Sequence, residues 1–289
     1  MSQTINISDN NMKDKVCLVT GANAGLGKVT ALELAKMGAV VIMVARSEQR
    51  GLAALAEIKA ESGNNNVQLM LADLSSMEAT RQLAEQFKAQ YDQLDVLVNN
   101  AGAFFNHRQV SVDGYEMTFA LNHLSYFLLT HLLLDLLKAS APSRIVNVAS
   151  KAHTKGKIHF DDLMLAQKYH GYAAYRQSKL ANILFTYELA RRLAGSGVTA
   201  NALHPGGVAT KFAAGEGLRG ALLKLIRPFL LTPEQGAETQ IYLASSPEVE
   251  GVSGQYFVKK QPVPSSKISY DTAVAQRLWQ VSENLTGLA

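Results

Sequence analysis

Val16-Cys17-Leu18-Val19-Thr20-Gly21-Ala22-Asn23-Ala24-Gly25-Leu26-Gly27 runs a short apolar strand straight into a glycine-spaced turn, and apolar residues at helical spacing follow from Val29 to Met37. Glycines let a backbone turn tightly and approach a ligand closely, while a helix that starts there offers free N–H groups and the positive end of its dipole to a phosphate. In isolation the pattern reads equally well as a turn whose glycines serve packing alone. Directly after the first strand of a β-α-β unit it points to a dinucleotide, with Gly21, Asn23, Gly25, Leu26 and Gly27 as the candidate contacts.

Outward from that turn the same alternation repeats. Runs rich in Val, Ile and Leu occur at Val40 to Val44, Val67 to Leu71, Leu94 to Val98, Ile145 to Ala149 and Val198 to Leu203, and segments of helical period such as Ser76 to Tyr91 lie between them. Continuous apolar strands joined by helices predict a parallel sheet covered on both faces, that is, a Rossmann-like doubly wound α/β fold. A further strand at Gln255 to Val258 brings the expected number to about seven, and Thr272 to Val281 reads as a terminal helix. No repeat or low-complexity linker interrupts the pattern, so we expect a polar N-terminal tail over residues 1–12 and a single domain over 13–289.

Composition narrows the function. The chain has 289 residues, 47% of them hydrophobic, which suffices for a large core. A net charge of +4 with bases scattered among acids argues against nucleic acid as a partner. One cysteine, Cys17, rules out an internal disulfide, and the seven histidines show no metal-ligand spacing, so no metal is expected. The first residues are polar, without the apolar run of a signal peptide or anchor. The expectation is a cytoplasmic protein without an integral membrane segment.

The second strand ends in Val44-Ala45-Arg46-Ser47, where an NAD site would place an acid on the ribose. Arg46 instead suits a 2′-phosphate, which makes NADP(H) the expected cofactor, although a plain surface arginine is the simpler alternative. Asp73 and Leu74 at the tip of the third strand, with Asn99, Ala101 and Gly102 at the tip of the fourth, are candidates for the adenine and inner ribose.

Strand five ends at Ser150, and a helix beginning near Tyr172 carries Tyr175 and Lys179. Residues at i and i+4 share a helix face. A neighbouring ammonium favours a phenolate, so the spacing predicts a tyrosine pKa drawn from about 10 toward neutrality, fit for general acid–base work. Ser150 would hydrogen-bond a substrate oxygen as its charge grows.

Together these residues resemble the short-chain dehydrogenase/reductase family over nearly the whole chain: Thr20 to Gly27 its cofactor turn, Asn99 to Gly102 its Asn-Asn-Ala-Gly segment, and Ser150, Tyr175 and Lys179 its catalytic set. Asn122 falls at the family's fourth catalytic position, which implies a water-linked proton relay to the lysine. Gly156 to Leu163, Ser178 to Asn182 and Leu203 to Gly206 are similar to the retinol dehydrogenase branch. That likeness implies an NADP(H) preference, a ribose contact for Lys179, and a nicotinamide end lined by Pro205, Gly206 and Thr210. The chain departs from the anchored members of the branch in its polar N-terminus, and Ala24 stands where some NADP-using relatives carry a base.

The expected function is NADPH-dependent interconversion of a carbonyl and an alcohol. A catalytically silent NADP(H) sensor is the alternative, disfavoured because all four polar residues are kept, and a sugar-nucleotide epimerase would need a larger C-terminal lobe. Residues 210–232 carry apolar and basic residues at helical spacing. They are expected to cover an apolar aldehyde, ketone or alcohol, with a core helix, a homo-oligomer contact and peripheral anionic lipid as other uses of the same pattern.

Overall fold

The computed structural model describes residues 12–208 and 231–289. Among these residues, one sheet carries eight strands in the order β3-β2-β1-β4-β5-β6-β7-β8. They are β1 Val16–Thr20, β2 Val40–Ala45, β3 Val67–Leu71, β4 Val96–Asn99, β5 Ser143–Val148, β6 Val198–His204, β7 Tyr256–Val258 and β8 Gln261–Pro262. All neighbours pair in parallel except β7 with β8.

The central strands are largely apolar because both faces are covered. Side chains alternate across a strand, so Cys17 and Val19 join Val41, Met43, Val96 and Val98 beneath Ala31, Leu34 and Ala35 of α1 (Gly25–Lys36). On the other face Leu18, Ile42, Val44 and Leu97 meet Leu83 and Phe87 of α3 (Met77–Gln90), together with Phe127 and Phe185. Leu18 is wholly buried. Its truncation to alanine would cost about 2–5 kcal/mol through lost burial and the cavity left behind.

Seven strands are expected from the pattern and eight are present. The additional β8 is a two-residue antiparallel edge containing Pro262, too short for an apolar period and unable to donate at the proline. Met12 is buried, and its N–H donates to the Met37 carbonyl at 3.2 Å.

Reversal of strand order between β1 and β4 opens a crevice at the carboxyl ends of the sheet, the place where such folds take ligands. Gly21, Arg46 and Pro205 follow directly on β1, β2 and β6, and Asp73, Ala101 and Ser150 come two residues after β3, β4 and β5, all at this edge. Among the described residues no helix is long and apolar enough to cross a membrane.

Candidate active site

The glycine turn fits closely against the next strand tip. Gly21 has φ 67°, and a side chain at Gly27 would place its first carbon 2.5 Å from both Asn100 Nδ2 and the Gly21 carbonyl oxygen. Thr20 and Asn100 pin the turn. The Thr20 hydroxyl accepts the N–H groups of Asn100 (2.8 Å) and Ala101 (3.0 Å), and Asn100 Nδ2 donates to the Thr20 carbonyl at 2.7 Å. This leaves the start of α1, from Gly25, facing the crevice with no side-chain cap.

At the outer end Arg46 is exposed and lies 3.6 Å from Asp73. Asp73 also accepts the Ser75 N–H and hydroxyl at 3.0 and 2.7 Å. Ser47 caps α2 (Glu48–Ser62), and Lys28 pairs with Glu57. The Leu74 side chain is in the core. Asn99 is also turned inward: it is fully buried and donates to Thr130 Oγ1 (3.0 Å) and Asn147 Oδ1 (2.9 Å). Its amide nitrogen thus braces β4 against β5.

The candidate catalytic set is assembled by α4 (Gly171–Arg192), the tip of β5 and a π-helical turn at Ala120–Leu124. Such turns recur at functional sites. Asn122 sits in it fully buried, accepting the Ala103 N–H at 2.8 Å and donating to the Ala103 carbonyl (3.0 Å) and to Ser178 Oγ (3.1 Å). A carbon added at Gly102 would lie 3.1 Å from Asn122 Oδ1 and 3.6 Å from Lys179 Nζ, so this loop passes directly over the pair. Lys179 is 3% exposed and donates to the Val148 carbonyl at 2.8 Å, with Nζ 5.8 Å from the ring centres of both Tyr126 and Tyr175. Ser150 accepts the Ala152 N–H at 3.2 Å, and its hydroxyl also bonds the Tyr175 phenol.

The electrostatics differ from the sequence expectation. Burial pushes Tyr175 up to about 12, outweighing the downward pull of the Ser150 hydrogen bond. Burial pushes Lys179 down to about 7. The i, i+4 spacing brings the groups together, as expected, but solvent exclusion governs both, and this cannot be read from a spacing.

Pro205 and Gly206 leave β6 toward Val208, which bridges to Leu231. Val208 and Leu26 both crowd Gly236 of the helix Pro233–Ser245, bringing the exit of β6 beside the glycine turn. Thr210 lies outside the described residues, as does the 210–232 segment up to residue 230.

Sequence reading includes Thr20 and Asn100 in its motifs without the pinning role they show, and it passes over Phe104. Phe104 stands 5.9 Å from the Tyr175 ring and 5.0 Å from that of Tyr172, forming an aromatic wall beside the Tyr175 phenol. Its loop is held to the residues before α4, where the Tyr169 hydroxyl donates to the Phe105 carbonyl at 2.9 Å. Aromatic residues just after Asn99–Gly102 are the available signal, but nothing local says which way they point.

The family described as short chain dehydrogenase matches residues 15–218. Human retinol dehydrogenase 14 is 45% identical over 96% of this chain and 88% of its own length. Human retinol dehydrogenase 13 is 45% identical over 95% and 85%. Among solved structures, an uncharacterized protein from Mycobacterium Paratuberculosis has a TM-score of 0.78 at 35% identity, covering 96% of this chain and 94% of its own. A short chain dehydrogenase from Burkholderia cenocepacia J2315 in complex with NADP has a TM-score of 0.70 at 26% identity, covering 86% and 97%. On these matches and this geometry, the chain belongs to the short chain dehydrogenase family, as an alcohol/carbonyl oxidoreductase of its retinol dehydrogenase-like branch.

Proposed function

We propose that the chain is an NADP(H)-dependent enzyme that interconverts an apolar carbonyl and its alcohol, with Tyr175 as the acid–base group. The observation that carries this reading is the convergence of Tyr175, Ser150 and buried Lys179 at the carboxyl edge of the sheet, beside the pinned glycine turn.

The residues present fit a dinucleotide: the closely packed Gly21 to Gly27 turn and the uncapped start of α1 for the pyrophosphate; Ala101 and Gly102 along the β4 tip; and Lys179 with Pro205 and Gly206 toward the nicotinamide end. The cofactor, when bound, supplies or accepts the hydride. In reduction Tyr175 gives its phenolic proton to the substrate oxygen, a step that typically contributes about 10²- to 10⁴-fold. Ser150, whose oxygen already accepts the Ala152 N–H, directs its own hydrogen at that substrate oxygen. Lys179 in its ammonium form stabilises the tyrosinate left behind, and Asn122 holds the loop that crosses over the pair. A phenol pushed up to about 12 keeps its proton throughout the neutral range, which favours the reducing direction.

Arg46 supports the 2′-phosphate form of the cofactor on magnitudes. Its pairing with Asp73 is solvent-exposed and worth about 0–1 kcal/mol. A charge-assisted phosphate contact is worth about 1.5–3 kcal/mol, enough to draw the guanidinium across. The wall of Phe104 and Tyr172 beside Tyr175 supports an apolar substrate. Turnover with NADPH and NADH across a panel of aldehydes and ketones tests this. Faster turnover of apolar carbonyls with NADPH is expected, whereas tight NADPH binding without turnover of any of them would leave the sensor reading.

A further inference from the structure

We infer that His153 is a positioning residue for Ser150, acting as a neutral hydrogen-bonded wedge between the C-terminal turn and the β5 tip. This rests on the proposed role of Ser150.

His153 follows Ser150 by three residues in the 3₁₀ turn Lys151–Lys155 and is 1% exposed. Its Nδ1 lies 2.6 Å from the Ser150 carbonyl oxygen, and its backbone N–H donates to the same oxygen at 3.1 Å. On the far side the Ser266 N–H donates to Nε2 at 3.1 Å. A backbone N–H can only donate, so Nε2 carries no hydrogen, and the hydrogen of the neutral ring is on Nδ1, directed at Ser150. Two fixed backbone groups thus select one tautomer.

The Ser266 end is rigid. Ser269 donates to the Ser266 carbonyl through both its N–H (3.0 Å) and its hydroxyl (2.6 Å). Ser265 shares hydrogen bonds with Ser269 and with the Tyr187 hydroxyl of α4, at 2.6 and 2.8 Å. The ring packs edge-on to Tyr256 of β7, with centroids 4.9 Å apart.

Consequences for Ser150 follow from its backbone. The sheet fixes the residue before it through the Ala149 N–H and the Leu203 carbonyl at 2.8 Å. His153 fixes the peptide after it by holding the carbonyl twice. With both flanking peptides held, the Cα–Cβ direction of Ser150 is set, and with it the hydroxyl that meets the Tyr175 phenol.

Two replacements separate the halves of the wedge. Asparagine carries its amide nitrogen on Cγ, as histidine carries Nδ1, so His153→Asn keeps the donor to Ser150 and loses the acceptor for Ser266. His153→Gln reaches the Ser266 side and abandons the Ser150 carbonyl. A third variant leaves the ring in place: Ser266→Pro deletes the N–H that selects the tautomer, at a residue whose φ of −67° proline adopts.

The experiment measures kcat, KM, NADPH affinity and melting temperature for these three, for Ser150→Ala and for the wild type, with an aldehyde that the wild type reduces. Misplacement of Ser150 should lower kcat about 10- to 100-fold in His153→Gln, with NADPH affinity unchanged. His153→Asn should stay within about threefold of wild type, and Ser266→Pro should fall between them. Equal kcat in the Asn and Gln variants, or losses that simply follow melting temperature, would overturn the inference. A Ser150→Ala enzyme with wild-type kcat would instead refute the proposed chemistry of the site and take this inference with it.

Discussion

Replacing Lys179 with methionine should make the ligand-free protein more stable in mild acid while abolishing turnover. The lysine is buried, with its pKa down at about 7 against an ordinary 10.5. At about 1.36 kcal/mol for each pKa step, the folded state gives up about 5 kcal/mol to carry the ammonium inside below pH 7. The unfolded chain holds this proton until about pH 10.5, whereas the folded protein releases it near 7, so wild-type stability from this group rises with pH between the two. By pH 9 the cost has fallen to about 2 kcal/mol. Methionine carries no proton and removes the cost, but it forfeits the bond to the Val148 carbonyl, worth about 1.5–3 kcal/mol when charged. Lys179→Met should therefore be more stable by about 2–3 kcal/mol at pH 6 and near wild type at pH 9. Urea unfolding at the two pH values, compared through midpoints at constant m, reads this directly. A variant less stable at both values, or an advantage that does not change with pH, would refute the claim that burial of this lysine is a cost the fold bears for function.

Other outcomes follow from the same site. Arg46→Ala should weaken NADPH by about 1.5–3 kcal/mol and leave NADH nearly unchanged, by titration of each cofactor; equal losses would remove Arg46 from phosphate recognition. Gly27→Ala pushes a methyl into Asn100 Nδ2 and the Gly21 carbonyl, each 2.5 Å away, so cofactor affinity should fall more than tenfold while secondary structure by circular dichroism persists. Alcohol oxidation needs the deprotonated phenol, and with Tyr175 up at about 12 its kcat/KM should still be rising at pH 9, whereas reduction stays level across the neutral range. A plateau in oxidation below pH 8 would contradict that.

The fold was legible because buried parallel strands are written as unbroken apolar runs: β1 and β3 fall where the runs do, and β6 extends its run by one residue, His204. Edges were less clear. The run at Leu94 begins two residues before β4, and β5 begins at Ser143, two residues ahead of its apolar run, since strand limits are set by the neighbours' hydrogen bonds. In the site, Ser150, Tyr175 and Lys179 could be found from strand tip and helix spacing, and the structure brings them together. What no spacing reveals is direction and burial. Asn99 and Asn100 are adjacent and chemically identical, yet one braces the sheet interior and the other pins the glycine turn. His153 reads in the sequence as an ordinary histidine, because only its near partner, Ser150, is local, while Ser266 lies 113 residues further along the chain.

The central claim is that Tyr175 is the proton donor of a dinucleotide-dependent carbonyl reduction, and the most direct test is to measure NADPH binding and aldehyde turnover side by side in wild type and Tyr175→Phe. The ring packing against Phe104 survives this change, while the phenolic proton and its bond with Ser150 do not. The account predicts NADPH affinity within about threefold of wild type and kcat lower by about 10²- to 10⁴-fold. Turnover within tenfold of wild type, with the cofactor still bound, would contradict it.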